Sequence, residues 1–207
     1  EGNRMSLPKE PGVYFIEREE YERLARVNWS TLKHIGRRPA HYNAALLTPF
    51  SDTDAMKKGR ASHLAVFEPD QFRAKCVGWE GKVRRGNDWD AFVDKWPDSE
   101  ILTPAMYDDA RAIGEAVRNH PVAQRFITGG KGEVTVLWDF EGPDFKVPCK
   151  SRLDFVADCE VLVDLKTTKH AGPEAFGRQC ASMEYHVQAA FYRRAYKVAT
   201  GRELPYY

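Results

Sequence analysis

No stretch of this chain approaches the roughly 20 consecutive apolar residues that a membrane-spanning helix requires. Cysteine is sparse: Cys76, Cys149, Cys159 and Cys180 form no C-x-x-C pair, which argues against zinc, an iron–sulfur cluster or a disulfide framework. With no secretory leader ahead of them, a reducing cytoplasm is the expected compartment. Charge of one sign is also lacking, with 31 Lys and Arg against 30 Asp and Glu. A nucleic-acid partner must therefore be held by local basic clusters rather than by net charge. Three such clusters exist, at Lys82/Arg84/Arg85, Arg37/Arg38 and Arg193/Arg194/Lys197, although runs of this kind are ordinarily solvated surface. Internal repeats and low-complexity segments are absent. What remains is 207 residues, 43% of them hydrophobic, enough to bury a core and to form one domain over residues 1–207.

The first half reads as helical. In "NWSTLKHIGRRPAHYNAALL" Ser30 is the expected N-cap, and Pro39 divides two short helices. "KKGRASHLAVFEP" reads as a helix closed by Pro69, with Leu64 and Phe67 toward a core. Residues 75–100 are rich in Gly, Trp and charge and read as a mobile loop followed by a short helix. "TPAMYDDARAIGEAVRNHP" is an amphipathic helix capped by Thr103 and stopped by Pro121. The pattern then turns to strands over 132–140, 145–157 and 161–168, with a turn at 142–144. A helix follows in "MEYHVQAAFYRRAYKVATG", ending at Gly201, with Phe191, Ala195 and Val198 expected on the sheet. Helices, three strands and a further helix make an α+β or mixed α/β domain. The aromatic end of "GRELPYY" looks like the start of a strand continuing beyond residue 207.

"LVDLKTT" (162–168) sets Asp164 and Lys166 into an otherwise apolar, β-branched run. If Asp158, Cys159 and Glu160 form a three-residue loop, Ala157 pairs with Val161 and Asp154 falls opposite Asp164, their Cβ atoms about 4.5–5.5 Å apart. A two-residue turn would instead send Asp154 to the other face. Carboxylates facing one another across a sheet repel, and a divalent cation is a direct compensation, since magnesium takes oxygen ligands from one or two carboxylates and leaves the rest to water and phosphate. Lys166 points to the same face as Asp164, where it can balance phosphate charge or assist a water. Alone, an Asp-x-Lys pattern is more often a solvated surface pair.

The context is more specific. "SRLDF", "VDLKTT" and "YHVQAAFY", with "STLKHIGRRPAHY", "KGRASHLAVFEPDQF", "NHPVAQRF" and "GEVTVLWDF", resemble the PD-(D/E)XK nuclease superfamily and, within it, the RecE-like (exodeoxyribonuclease VIII) branch. Leu153 stands where many members have proline, and Asp164 where others have glutamate. The resemblance implies a restriction-endonuclease-like core, a central mixed sheet flanked by helices with a helical N-terminal half. It makes Asp154, Asp164 and the Leu165 carbonyl metal ligands and Lys166 the catalytic lysine. His63 becomes an additional metal ligand, and Glu133 an acidic group near the metals. Gln188 and Tyr192, four apart on one helical face, stand near the active site, on the DNA backbone or in support of Lys166. The activity implied is magnesium-dependent hydrolysis of linear duplex DNA, 5′ to 3′, in recombination (phage recombination systems included), with Mn2+ able to substitute. The partners implied are duplex ends, a RecT-like single-strand annealing protein and copies of the chain in a ring. The rival readings are an endonuclease or CRISPR-adaptation nuclease of the same superfamily, against which the dispersed cysteines speak, and a catalytically silent DNA-binding module.

Overall fold

A computed structural model describes residues 7–48 and 52–207. In chain order the elements are β1 (Gly12–Tyr14), α1 (Arg18–Arg23), α2 (Trp29–Leu32), α3 (Pro39–Leu47), α4 (Asp54–Phe67) and α5 (Pro69–Lys75). Then come β2 (Cys76–Gly78), α6 (Asn87–Lys95), β3 (Glu100–Leu102), α7 (Pro104–Asn119) and α8 (Gln124–Ile127). The chain ends with β4 (Gly130–Glu141), β5 (Lys146–Ala157), β6 (Val161–Val163), α9 (Pro173–Ser182) and α10 (Tyr185–Thr200). The fold is mixed α/β, as the pattern of helices and strands implied. Contacts gather it into two compact units, one drawn from residues 7–48 and 129–207, the other from 52–128.

The first unit is built on an antiparallel sheet in the order β1-β4-β5-β6. The long β4–β5 hairpin closes through a turn in which Gly142 N–H donates to Phe145 O at 2.8 Å. Val134, Val136, Trp138, Cys149 and Leu153 form its buried centre, with Leu162, Ala195, Tyr196 and Leu204. The Phe191 ring meets Trp138 edge-on at 4.9 Å. Phe191 and Ala195 pack as expected, but Val198 is exposed, and Tyr196, a turn ahead of Thr200, takes the buried place. The helix ends at Gly201 in the left-handed region, the conformation glycine adopts without a Cβ penalty.

Helix starts follow their caps. Thr103 accepts from Met106 N–H, as the sequence implied. At α2 the cap is Asn28 and not Ser30: its Oδ1 accepts from Thr31 N–H at 3.0 Å, and Ser30 donates its hydroxyl to the same oxygen. The carboxamide of Asn28 reaches the free N–H groups of the first turn, leaving Ser30 one residue inside the helix. Pro39 opens α3 and Pro69 opens α5. Residues 173–182, to which the sequence reading gave no element, form a helix led by Pro173.

The second unit packs α4 against α7 around Ala61, Ala65, Phe72, Cys76, Leu102 and Ala110. Gly114 permits close approach, since a Cβ there would lie 2.6 Å from Ala65 O. Residues 75–100 are not a loop throughout. β2 and β3 pair in parallel, joined by a crossover holding α6, and Trp79 packs on Trp89 and Phe92 at 5.4 and 4.9 Å. Strands of three residues are too short to show a period in the sequence.

The hairpin joining β5 and β6 has the odd length. Ala157 pairs with Val161, Val156 with Leu162 and Phe155 with Val163, leaving Asp158, Cys159 and Glu160 as the loop. Glu160 sits at φ 65°, the left-handed residue of three-residue hairpin loops. Glu160→Val is expected to cost about 1–2 kcal/mol, because a β-branched residue is strained there. Glu160→Gly, which removes the same half-exposed ion pair to Arg202, is expected to cost none of it. Urea midpoints of the two variants check this.

Candidate active site

β6 ends sooner than the sequence implied, at Val163, because the next residues change partners. Asp164 N–H donates to Tyr207 O at 2.9 Å, Leu162 N–H to Pro205 O at 2.8 Å, and Tyr207 N–H to Leu162 O at 2.9 Å. The aromatic end of the chain thus lies parallel against β6, with Tyr206 bridging Leu162. One step beyond the Phe155–Val163 pair, the register sets Asp154 opposite Asp164. Leu165 N–H donates to Asp154 Oδ2 at 2.9 Å, fixing that carboxylate across the strand gap. The Asp164 side chain is only 4% exposed. Its Oδ2 is ion-paired with Lys166 Nζ, while its Oδ1 is buried with no hydrogen-bond partner among the described residues.

A buried carboxylate oxygen without a partner is costly, because it has given up water for nothing. A cation would satisfy it. The donors gathered here are carboxylate oxygens beside the backbone of Leu165, a hard set that suits Mg2+ or Mn2+ and not a thiolate-seeking metal. Among the described residues no three His, Cys, Asp or Glu side chains cluster closely enough to enclose a metal, so water and substrate oxygens would supply the remaining positions. Cys76, its thiol pushed up to about 12 by burial, is an inert core residue.

Around the carboxylates stand phenols. Tyr192 is partly buried, and its pKa is held well above the usual tyrosine range, first by desolvation and then by Tyr21, with Asp154 and Asp164 adding to the rise and a hydrogen bond from Gln188 opposing it. Tyr206 is raised by burial, then by the charge of Asp164 and its hydrogen bond, then by Asp154. Both carboxylates therefore act on both rings. Gln188 and Tyr192 line a cavity of about 170 Å³ that also touches Tyr21, Asn28, Lys33 and Tyr185.

Glu133 comes opposite Asp154 by register, between the Gly132–Phe155 and Val134–Leu153 pairs, at a positive φ of 50°. Its carboxylate is engaged by Arg152 Nε at 2.6 Å, and Arg152 Nη1 also donates to Ile16 O and Thr135 Oγ1. His63 belongs to the second unit, on α4, half-buried and edge-on to Phe67 at 6.2 Å. The first unit thus brings together Asp154, Asp164, Leu165, Lys166, Gln188 and Tyr192, and gives Glu133 to Arg152.

Several residues that shape the site carried no signal in the sequence reading. Lys150 is buried and donates to Tyr21 O, Glu22 O and Leu24 O at 2.7, 3.3 and 2.8 Å, satisfying carbonyls at the end of α1. Tyr21 lies over both cations, 4.5 Å from Lys150 Nζ and 5.6 Å from the Arg152 guanidinium. Arg152 alternates with Asp154 in "SRLDF", the one available hint that it shares that side of β5.

Burial lifts the Tyr21 phenol well above its ordinary range near 10, against the lowering effect of Arg152. The unfolded chain loses this proton from pH 10 upward while the folded chain keeps it, so the associated stability is present below pH 10 and lost as pH rises above it. Lys150, lowered by burial, has the opposite sign, its contribution growing as pH climbs toward 10.5. Tyr21→Phe is expected to flatten the decline between pH 10 and 11 by up to about 1.4 kcal/mol per pH unit, read from urea midpoints.

Among the described residues no helix is long and apolar enough to cross a membrane. The family model described as "PDDEXK-like domain of unknown function (DUF3799)" matches residues 28–207, through both compact units. No curated protein matches the chain.

Proposed function

The chain belongs to the PDDEXK-like family, whose kinship is with nucleases, and on that premise we propose that it is a magnesium-dependent deoxyribonuclease acting 5′ to 3′ on the ends of linear duplex DNA. The observation that carries the reading is the pair Asp154 and Asp164, opposed across a three-residue hairpin, with Lys166 ion-paired to the second carboxylate and one Asp164 oxygen left without a partner. Such a pair is unfavourable in a purely structural sheet.

Asp154, Asp164 and the Leu165 carbonyl would hold the cation. When bound, a divalent cation neutralises charge developing on a phosphodiester and makes water a competent nucleophile near neutral pH. The protein's part is positioning. Leu165 N–H orients Asp154. Lys166 Nζ, drawn to Asp164 Oδ2, offers its remaining N–H groups to the phosphate and to the attacking water. Tyr192 stays neutral through the working pH range and donates without adding negative charge beside the carboxylates. Glu133, tied to Arg152, keeps that cation on the sheet side of the site.

In this reading the chain works in recombination, in the cytoplasm, as a ring of identical subunits with a RecT-like annealing partner. The test compares linear duplex, tagged at either 5′ or 3′ end, with covalently closed circles in Mg2+. The exonuclease reading expects early release of the 5′ tag and intact circles. Cutting of the circles identifies the endonuclease alternative, and early release of the 3′ tag reverses the polarity.

A further inference from the structure

Residues 164–172, which carry Asp164 and Lys166 from β6 to α9, have no regular secondary structure. A segment without a backbone ladder is placed by its side chains, and here the fastenings converge on Lys166. Its Nζ stands 5.0 Å from the centre of the Tyr185 ring, within the range of cation–π attraction. The Tyr185 hydroxyl accepts from Gln179 Nε2 at 3.2 Å. Gln179 Oε1 in turn accepts the Thr168 hydroxyl at 2.6 Å, and Thr168 Oγ1 accepts from His170 N–H at 3.3 Å. The carboxamide of Gln179, on α9, is thus used at both ends. It joins the segment that bears Lys166 to the first residue of α10, whose ring faces the same lysine.

We infer that Tyr185, Gln179 and Thr168 form a clamp that positions the Lys166 ammonium against Asp164. The inference deepens the nuclease reading, and rests on it where hydrolysis is concerned. Lys166 has a flexible four-carbon stem and strongly hydrated ammonium, and its side chain is 18% exposed, so one ion pair leaves it free to swing about Asp164. The ring closes off one side. Each of the three acts through Lys166, the Tyr185 hydroxyl accepting from Gln179 Nε2, which makes them positioning residues.

The test measures two things on the full chain: the rate at which an amine-modifying reagent labels Lys166, followed by mass spectrometry, and the single-turnover rate of duplex hydrolysis in Mg2+. Tyr185→Phe keeps the ring but loses the bond from Gln179 Nε2, and is expected to raise labelling and slow hydrolysis less than loss of the ring does. Tyr185→Leu removes the ring and is expected to raise Lys166 labelling at least about threefold and to slow hydrolysis about tenfold or more, with half-saturating DNA unchanged, since small misplacements of a reacting group cost rate. Gln179→Leu should move both readouts in the same direction, less far. Melting temperatures identify any variant that has lost its fold, and for such a variant the Thr168→Val labelling rate serves instead, with the same rise expected. Labelling of Lys166 unchanged in folded Tyr185→Leu or Thr168→Val overturns the clamp, whatever the nuclease result. Raised labelling with a wild type that does not hydrolyse DNA upholds the clamp and removes the nuclease reading.

Discussion

Replacing Asp164 by asparagine is expected to lower magnesium-dependent DNA hydrolysis by at least about a thousandfold and to abolish the rise in melting temperature that magnesium gives the wild type. Asparagine keeps the volume of the side chain, so the core behind it is undisturbed. It removes the negative charge, and it puts an amide N–H₂ where one carboxylate oxygen was. Asp164 Oδ1 has no hydrogen-bond partner among the described residues, and a bound cation would satisfy it. Ligand binding to the folded state adds about 2.7 kcal/mol at a hundred times Kd, which for a chain of this size is roughly 5–10 °C. Thermal melts with and without Mg2+ measure this without reference to activity. A substituted protein that keeps both the shift and the hydrolysis would remove Asp164 from the site.

Lys166→Met is expected to separate the same two readouts. Methionine retains much of the apolar stem and loses the ammonium that lies over Tyr185. Hydrolysis should fall by about 10²–10⁴-fold, the usual range for a positioned acid–base or charge-stabilising group. The magnesium-induced rise in melting temperature should remain, since the carboxylates are intact. Loss of a positive charge beside Asp164 is expected, if anything, to strengthen cation binding. Lost thermal response with preserved hydrolysis would invert the roles assigned to the two residues.

The part of this site that was legible in the sequence is the part governed by local rules. Alternation in "FKVPCKSRLDFVA" and "VLVDL" together with a three-residue gap was enough to count Asp154 across from Asp164, and the ladder runs in that register. A helical spacing of four placed Gln188 and Tyr192 together, and Tyr192 responds to both carboxylates. What the sequence did not disclose depends on distant partners. β6 was read too long because "VDLKTT" has strand-like composition, whereas Asp164 already turns its N–H to Tyr207. Tyr206 was read only as the start of a strand, since nothing local tells which carboxylate it will meet. Lys150 drew no reading of its own within the strand over 145–157. It is buried because α1, more than a hundred residues earlier, ends on it with three carbonyls. Glu133 shows the converse: a strand-start carboxylate whose neighbour in register is Asp154, but whose ion-pair partner is Arg152.

The central claim, that Asp154 and Asp164 hold a cation for phosphodiester hydrolysis, meets its most direct test in one assay. End-labelled linear duplex is incubated with an excess of the wild type or of Asp154→Asn, in Mg2+ or in EDTA. The account predicts release of labelled product by the wild type in Mg2+ alone. Duplex left intact by the wild type, or equal release by Asp154→Asn, would contradict it.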